Sequence, residues 1–96
     1  MERQTFRAKF YGELKSYMRI YFLKLRCEMN LTKDKMAELL LMDTRNYSDK
    51  ENGKNLCNLT TFIALLSVCP NEQALLSDIT DIYDKVINGD YYEEEN

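Results

Sequence analysis

The segment 31–54 constrains the fold most, because two short helical patterns follow each other in it with little chain between them. Thr32 can cap the first helix, expected over about 33–41, since a hydroxyl accepts a hydrogen bond from a free amide of the first turn. Apolar residues recur in it at the spacing of one helix face, and Ala37 is small enough to let another helix approach. The first half of the segment therefore predicts a short amphipathic helix.

The second helix of this segment is polar almost all round. We expect it over about 44–50, with Asp43 as its cap, Tyr47 as its only large apolar residue and the turn signal Asn52-Gly53 after it. A helix so short and polar must be held by its neighbours. Such a pair commonly places its second helix in the major groove of DNA, whereas a solvated connector is the alternative.

Three more helical patterns flank the pair, and the small number of turn residues, 3 Gly and 1 Pro, argues against a β fold. Thr5 can cap a long first helix, and Asn30 suits the left-handed position that ends one. Asn58 and Asn71 can cap the last two. The helices are expected at about 6–29, 33–41, 44–50, 59–69 and 72–87. This predicts an all-α, five-helix fold with an extended first helix.

The domain organisation follows from length and charge. With 96 residues the chain should form one domain over 1–90, followed by an acidic tail over 91–96. Residues 1–30 carry 7 basic and 3 acidic side chains, residues 31–55 carry 5 of each, and residues 56–96 carry 1 basic and 8 acidic. A chain polarised in this way can present a basic face although its net charge is −3. The acidic fifth helix and tail could instead bind a protein partner.

No residue pattern points to catalysis or to a metal ion. The chain has no His and no Gly-rich phosphate loop, and its 3 widely spaced Cys are expected to be buried free thiols. Asp78, Asp81 and Asp84 are interpreted as one solvated helix face. We therefore expect neither an enzyme nor a cofactor. Without a targeting segment or the ~18 apolar residues of a membrane span, we expect a cytoplasmic protein.

Residues 22–69 resemble the Xre-type, lambda-repressor-like helix-turn-helix domains of bacterial and phage regulators. The matching elements are Leu25-Arg26, Leu31-Thr32, Ala37-Glu38-Leu39-Leu40, Glu51-Asn52-Gly53-Lys54 and Asn58-Leu59. The resemblance covers about half of the chain. It implies a lambda-repressor-like arrangement and a sequence-specific, double-stranded DNA-binding transcription regulator. Helix 44–50 would read the major groove, and occupation of the operator would exclude or position RNA polymerase, as in a repressor.

The resemblance also implies roles for single residues. The base-reading positions are Thr44, Arg45, Asn46, Ser48 and Asp49. The positions that contact DNA phosphates are Thr32, Lys33, Asn52 and Lys54. Arg26 and Glu51 take the places of a family ion pair that fixes the recognition helix. Arg45 could donate to guanine O6 and N7, and Asp49 could orient Arg45 or accept from a cytosine amino group.

Three positions depart from the family pattern, and at one of them Tyr47 replaces a smaller aliphatic anchor. Leu41 stands where Gly is usual in the turn, and because Leu is strained at positive φ, we expect this turn to differ. Lys50 replaces an aliphatic core residue, so its stem is expected to pack while its ammonium group extends into solvent.

Two classes of function remain open. The first is the DNA-binding regulator, expected to be a homodimer because one recognition helix reads few base pairs and dimers bind half-sites about 34 Å apart. The dimer surface would be the aromatic-rich first helix or the Leu/Ile stripe of the fifth. The second class is a helix-turn-helix protein-interaction module, such as an antitoxin with reduced or no DNA binding.

Overall fold

A computed structural model describes residues 3–89 of the chain, and this part is all-α, as predicted. Its helices are α1 (Arg3–Glu28), α2 (Lys33–Leu39), α3 (Thr44–Glu51), α4 (Leu59–Val68) and α5 (Glu72–Ile87). No strand occurs within the described range. Because α1 begins at Arg3, Thr5 lies inside the helix and does not cap it. The acidic tail expected over 91–96 lies outside the described residues.

Four side chains cap the helices that follow α1, and all four were expected from the sequence. Each accepts a hydrogen bond from the amide three residues later, at 2.8–3.1 Å. The capping residues are Thr32, Asp43, Asn58 and Asn71. A cap of this kind stabilises a helix by about 1 kcal/mol. The caps matter here because α2 and α3 have only 7 and 8 residues.

Three helices end in the same way, with a left-handed residue closed by two backbone hydrogen bonds. Asn30 follows α1 at φ 58°, Leu41 follows α2 at 62° and Gly53 follows α3 at 74°. After α2, the amide of Leu41 donates to the Glu38 carbonyl at 3.2 Å, and that of Met42 donates to the Ala37 carbonyl at 3.0 Å. The expectation that Leu41 changes the turn was therefore wrong. The two closing bonds impose the left-handed conformation on a leucine.

The core forms where α1 crosses the short helices. Buried side chains from every helix meet there: Met18, Phe22, Leu25, Met36, Ala37, Leu40, Tyr47, Leu65 and Leu75. The three from α1 recur at helical spacing, so one side of this helix supports the whole set. Fully burying an aliphatic or aromatic side chain of this size is worth about 1.5–3 kcal/mol. The core thus holds α2 and α3 against α1.

α5 packs antiparallel to α1. Near one end of the pair the rings of Phe10 and Tyr83 meet edge to face with their centroids 5.4 Å apart, and further along the hydroxyl of Tyr17 donates to Asp78 at 2.8 Å. Burial and this carboxylate raise the pKa of Tyr17. Asp78 therefore belongs to a helix contact and is not part of a purely solvated face. Ile82 is 8% exposed, so it packs within the monomer.

Candidate nucleic-acid interface

The inner face of α3 is anchored by Tyr47, which is fully buried. Its ring packs edge to face against Phe22, with 5.9 Å between centroids. Its hydroxyl donates to the carboxylate of Glu51 and, at 3.3 Å, to the backbone carbonyl of Phe22. Burial and the hydrogen bond to Glu51 raise the pKa of Tyr47. One aromatic side chain thus ties the middle of α3 to α1.

The end of α3 is fixed by the ion pair of Arg26 and Glu51. Arg26 Nε donates to Glu51 Oε2 at 2.5 Å and Nη2 donates to Oε1 at 3.3 Å, while Nη1 donates to the carbonyl of Leu31 at 3.0 Å. Burial raises the pKa of Glu51, but the hydrogen bonds from Arg26 and Tyr47 outweigh it, so its pKa lies below the usual value. Losing one partner of such a buried pair costs several kcal/mol.

Lys50 connects α3 to the chain that follows it. It is only 9% exposed, and its Nζ donates to Asn55 Oδ1 at 2.7 Å and to the carbonyl of Asn46 at 3.5 Å. The expectation that its ammonium group reaches solvent was wrong. Asn55 Oδ1 accepts a hydrogen bond from the Lys50 ammonium group inside a cleft between α3 and the start of α4. The lysine therefore holds the 52–58 loop against α3.

The outer face of α3 carries the predicted base-reading residues. Thr44, Arg45 and Asn46 are exposed, and Ser48 and Asp49 are half-buried. Arg45 has no side-chain hydrogen bond or ion pair with any residue in the range 3–89. Its guanidinium is therefore available to an external acceptor.

The other four predicted base-reading residues already have intramolecular partners. Thr44 Oγ1 donates to Asp34 Oδ1 at 2.5 Å, and the amide of Asn46 donates to Asp43 at 3.2 Å. Asn46 also lines the cleft beside Lys50, so it lies at the margin of the outer face. The partners of Ser48 and Asp49 are lysines from outside α3.

Those lysines, Lys33 and Lys54, are two of the four residues expected to contact phosphates. Lys33 Nζ donates to Ser48 Oγ at 3.4 Å, and Lys54 Nζ lies 3.7 Å from Asp49 Oδ1. Asp49 thus pairs with Lys54 rather than with Arg45. Ser48 and Asp49 are neighbours on α3, and each contacts one of the two lysines. The lysines and the outer face of α3 therefore form one continuous surface.

The remaining two predicted phosphate residues cap helix ends. Thr32 uses its hydroxyl to cap α2, and Asn52 is the C-cap residue that follows α3, where its backbone N–H donates to the Ser48 and Lys50 carbonyls. Both residues are exposed, so they lie on the surface at opposite ends of the helix pair.

One basic residue beside this surface was not predicted from the sequence to belong to the site. Arg19 of α1 crosses the turn at Gly53 so closely that a Cβ on that glycine would lie 2.9 Å from Arg19 Cδ. Arg19 is exposed and adds a cation next to Asn52 and Lys54. No spacing in the sequence predicts this contact, because Arg19 and Gly53 are 34 positions apart in the chain. Gly53 suits this turn through its positive φ, and its lack of a Cβ leaves room for the arginine side chain above it.

The cysteines and carboxylates do not gather into a second site. Cys27 is exposed, and Cys57 and Cys69 are partly buried, all as free thiols, so the expectation of burial was wrong for Cys27. Burial raises the pKa of Cys57. Within residues 3–89, no three His, Cys, Asp or Glu side chains are placed to hold a metal ion. None of the described helices has the length and apolar character to cross a membrane.

Comparisons with models of known protein families, with curated proteins and with solved structures give no match to this chain.

Proposed function

We propose that the protein is a sequence-specific, double-stranded DNA-binding transcription regulator of the bacterial or phage type, with a lambda-repressor-like arrangement in which α3 enters the major groove. One observation carries the proposal. The inner face of α3 is pinned by Tyr47 and Glu51, while Arg45 on the outer face is exposed, without a partner in the described chain, and flanked by Lys33 and Lys54.

In this proposal the flanking cations position the helix and Arg45 supplies sequence information. Lys33, Lys54 and Arg19 bind phosphates on either side of the groove, and the free amides at the start of α2 add donors. Arg45 donates two hydrogen bonds to guanine O6 and N7, worth about 1–3 kcal/mol of discrimination against other bases. Asp49, held by Lys54, accepts from a cytosine amino group while the lysine offsets its repulsion of phosphate.

The regulator would act by occupying its operator, and thereby exclude or position RNA polymerase. One helix of 8 residues contacts only a few base pairs, so we propose that the chain binds as a homodimer to two half-sites about 34 Å apart. The protein would work in the cytoplasm without a cofactor and without catalysing a reaction.

A second candidate is a protein-interaction module, such as an antitoxin with weak or no DNA binding. The observation that favours it is α5, on which Asp81 and Asp84 are exposed and would suit a basic protein surface. Substitution of Arg45 distinguishes the DNA-binding regulator from the protein-interaction module. If Arg45→Ala leaves function intact while charge reversal at Asp81 and Asp84 abolishes it, the interaction module is favoured.

The experiment that tests the proposal is a selection of bound sequences from a random DNA pool, followed by titration of the selected DNA at several salt concentrations. We expect an enriched palindrome and an affinity that falls steeply with salt. Binding only at the non-specific level of about 10⁻⁴ M, without enrichment, would reject the proposal.

Two variants refine this titration. Arg45→Ala should lower the affinity for the selected DNA without changing the affinity for random DNA. Arg19→Gln should weaken both and reduce the salt slope by about one phosphate contact. Arg7→Gln is the matched control for Arg19, since Arg7 is also an exposed arginine of α1 but lies three turns earlier in the helix.

A further inference from the structure

α4 is the one described helix without a charged residue, and it leaves large aliphatic side chains in solvent. Its sequence is LTTFIALLSV, and Leu59 and Ile63 are 74% and 54% exposed. These residues are four apart, so they share one face of the helix. Exposed apolar patches on a small protein commonly mark an interaction surface.

An apolar groove lies directly beside this face. It has a volume of about 300 Å³, lies where α4 meets α1 and α5, and shares Leu59 as part of its wall. The other apolar residues that line it include Leu14, Leu56, Cys57, Phe62 and Ile79. A two-fold interface joins the same patch on both copies, so a patch needs a protruding part and a recess that fit each other. Leu59 and Ile63 provide the protruding part, and the adjoining groove provides the recess.

Given the homodimer of the proposed function, charge favours α4 over α1 and α5 as the contact between the two copies. α1 carries 7 basic and 2 acidic residues, and α5 carries 4 acidic and 1 basic. A two-fold contact through either helix would bring like charges together, which costs several kcal/mol. A contact of α4 with α4 brings no charges together. The absence of charge also gives α4 no electrostatic attraction for an acidic or basic partner.

We infer that the α4 surface, formed by Leu59, Ile63 and the adjoining groove, joins two copies of the chain in a symmetric homodimer. This places the interface on a helix other than α1 and α5, which the sequence favoured. Ile82, a candidate contact in α5, packs within the monomer instead. The inference rests on the homodimer of the proposed function and is independent of DNA recognition.

The test is the mass of the purified full chain by sedimentation equilibrium over a concentration series, without DNA. The wild-type chain should show twice the 11.4 kDa monomer mass. Ile63→Glu and, separately, Leu59→Lys should each weaken the dimer on the order of 100-fold, because each introduces a pair of like charges into an apolar contact. Both residues are exposed, so thermal unfolding measured at concentrations where the wild-type chain is monomeric should be little changed, and an unchanged Tm would exclude misfolding as the cause.

Ile20→Glu on α1 is the matched control, since Ile20 is 47% exposed and also aliphatic. It should leave the dimer intact. A wild-type chain that stays monomeric throughout the series would overturn the inference. So would a dimer that survives Ile63→Glu and Leu59→Lys, or one that is lost with Ile20→Glu. A dimer disrupted only at α4 that shows no DNA selectivity supports the inference and rejects the proposed DNA function.

Alkylation of thiols gives a second readout in the unmodified protein. Cys57 lines the groove, whereas Cys27 on α1 is exposed and serves as an internal reference. The rate at Cys57 relative to Cys27 should fall as the dimer forms. A constant ratio across the monomer–dimer transition would place the interface elsewhere.

Discussion

The two faces of α3 differ in how their polar groups are satisfied. On the inner face, Tyr47, Lys50 and Glu51 are buried, and each has hydrogen-bond partners in the described chain. On the outer face, Thr44, Ser48 and Asp49 contact exposed side chains of other segments, and Arg45 has no side-chain partner within residues 3–89. A helix with little apolar surface can thus be held in place by buried polar contacts on one face, while its opposite face stays exposed.

The largest expected effect comes from removing the inner anchor. Arg26→Met leaves Glu51 buried without its partner, so the free energy of unfolding should fall by about 3–5 kcal/mol. Urea denaturation measures this loss. Lys35→Ala, which removes an exposed pair with Glu38, is the control and should change stability by less than about 0.5 kcal/mol. A loss below 1 kcal/mol for Arg26→Met would mean that the pair does not anchor α3.

Lowering the pH should weaken the contacts of Glu51 on the inner face gradually, whereas Arg26→Met removes its partner at once. Because the pKa of Glu51 is lowered in the folded state, its stabilising contribution is fully present above its ordinary pKa and is lost as pH falls through the folded value. We therefore expect stability to decrease below about pH 4.5. The comparison is with Glu51→Gln, whose stability should be lower at neutral pH and should depend less on pH in this window. Parallel curves for the two proteins would assign the acid sensitivity to other carboxylates.

Arg45→Ala should have the opposite profile, with a large effect on binding and almost none on folding. The residue is exposed and unpaired in the described chain, so its loss should change stability by less than about 0.5 kcal/mol. Affinity for the selected DNA should fall by about 1–3 kcal/mol, that is, by roughly 5- to 150-fold. Filter binding or fluorescence anisotropy measures this. A comparable loss with random DNA would make Arg45 a phosphate contact.

Local features could be predicted from the sequence, whereas contacts distant along the chain could not. Thr32 and Asp43 were recognised as caps because the bond of a cap spans only three residues. The crossing of Arg19 over Gly53 depends on the packing of two helices, which a pattern of residue types does not encode. Lys50 was misplaced for a related reason, since its partner Asn55 depends on the path of the loop after α3.

The apolar stripe of α5 illustrates the same limit. Its spacing correctly predicted one apolar helix face, yet spacing alone does not reveal whether that face meets α1 or a second copy. In the structure Ile82 is buried against the monomer, while Tyr83 is 49% exposed. The uncharged α4 was visible in the sequence, but its exposure depends on the tertiary arrangement.

The smallest effect concerns the turn that sets the angle between α2 and α3. Leu41 is at φ 62° and 70% exposed, so it bears left-handed strain of about 1–2 kcal/mol without gaining much from burial. Leu41→Gly removes that strain but adds about 0.5–1 kcal/mol of backbone entropy to the unfolded state. We expect a net stabilisation of about 0.5–1 kcal/mol, measurable as a rise in Tm of a few degrees.

Asn30→Gly is the matched control for this turn, because Asn tolerates the left-handed conformation and its replacement should gain less. A Tm lowered by Leu41→Gly would mean that the exposed leucine makes a stabilising contact. Unchanged DNA affinity in the Leu41→Gly variant would show that the two closing hydrogen bonds, rather than the leucine side chain, orient α3. Weaker DNA binding by a more stable protein would instead assign the strained leucine to the binding face.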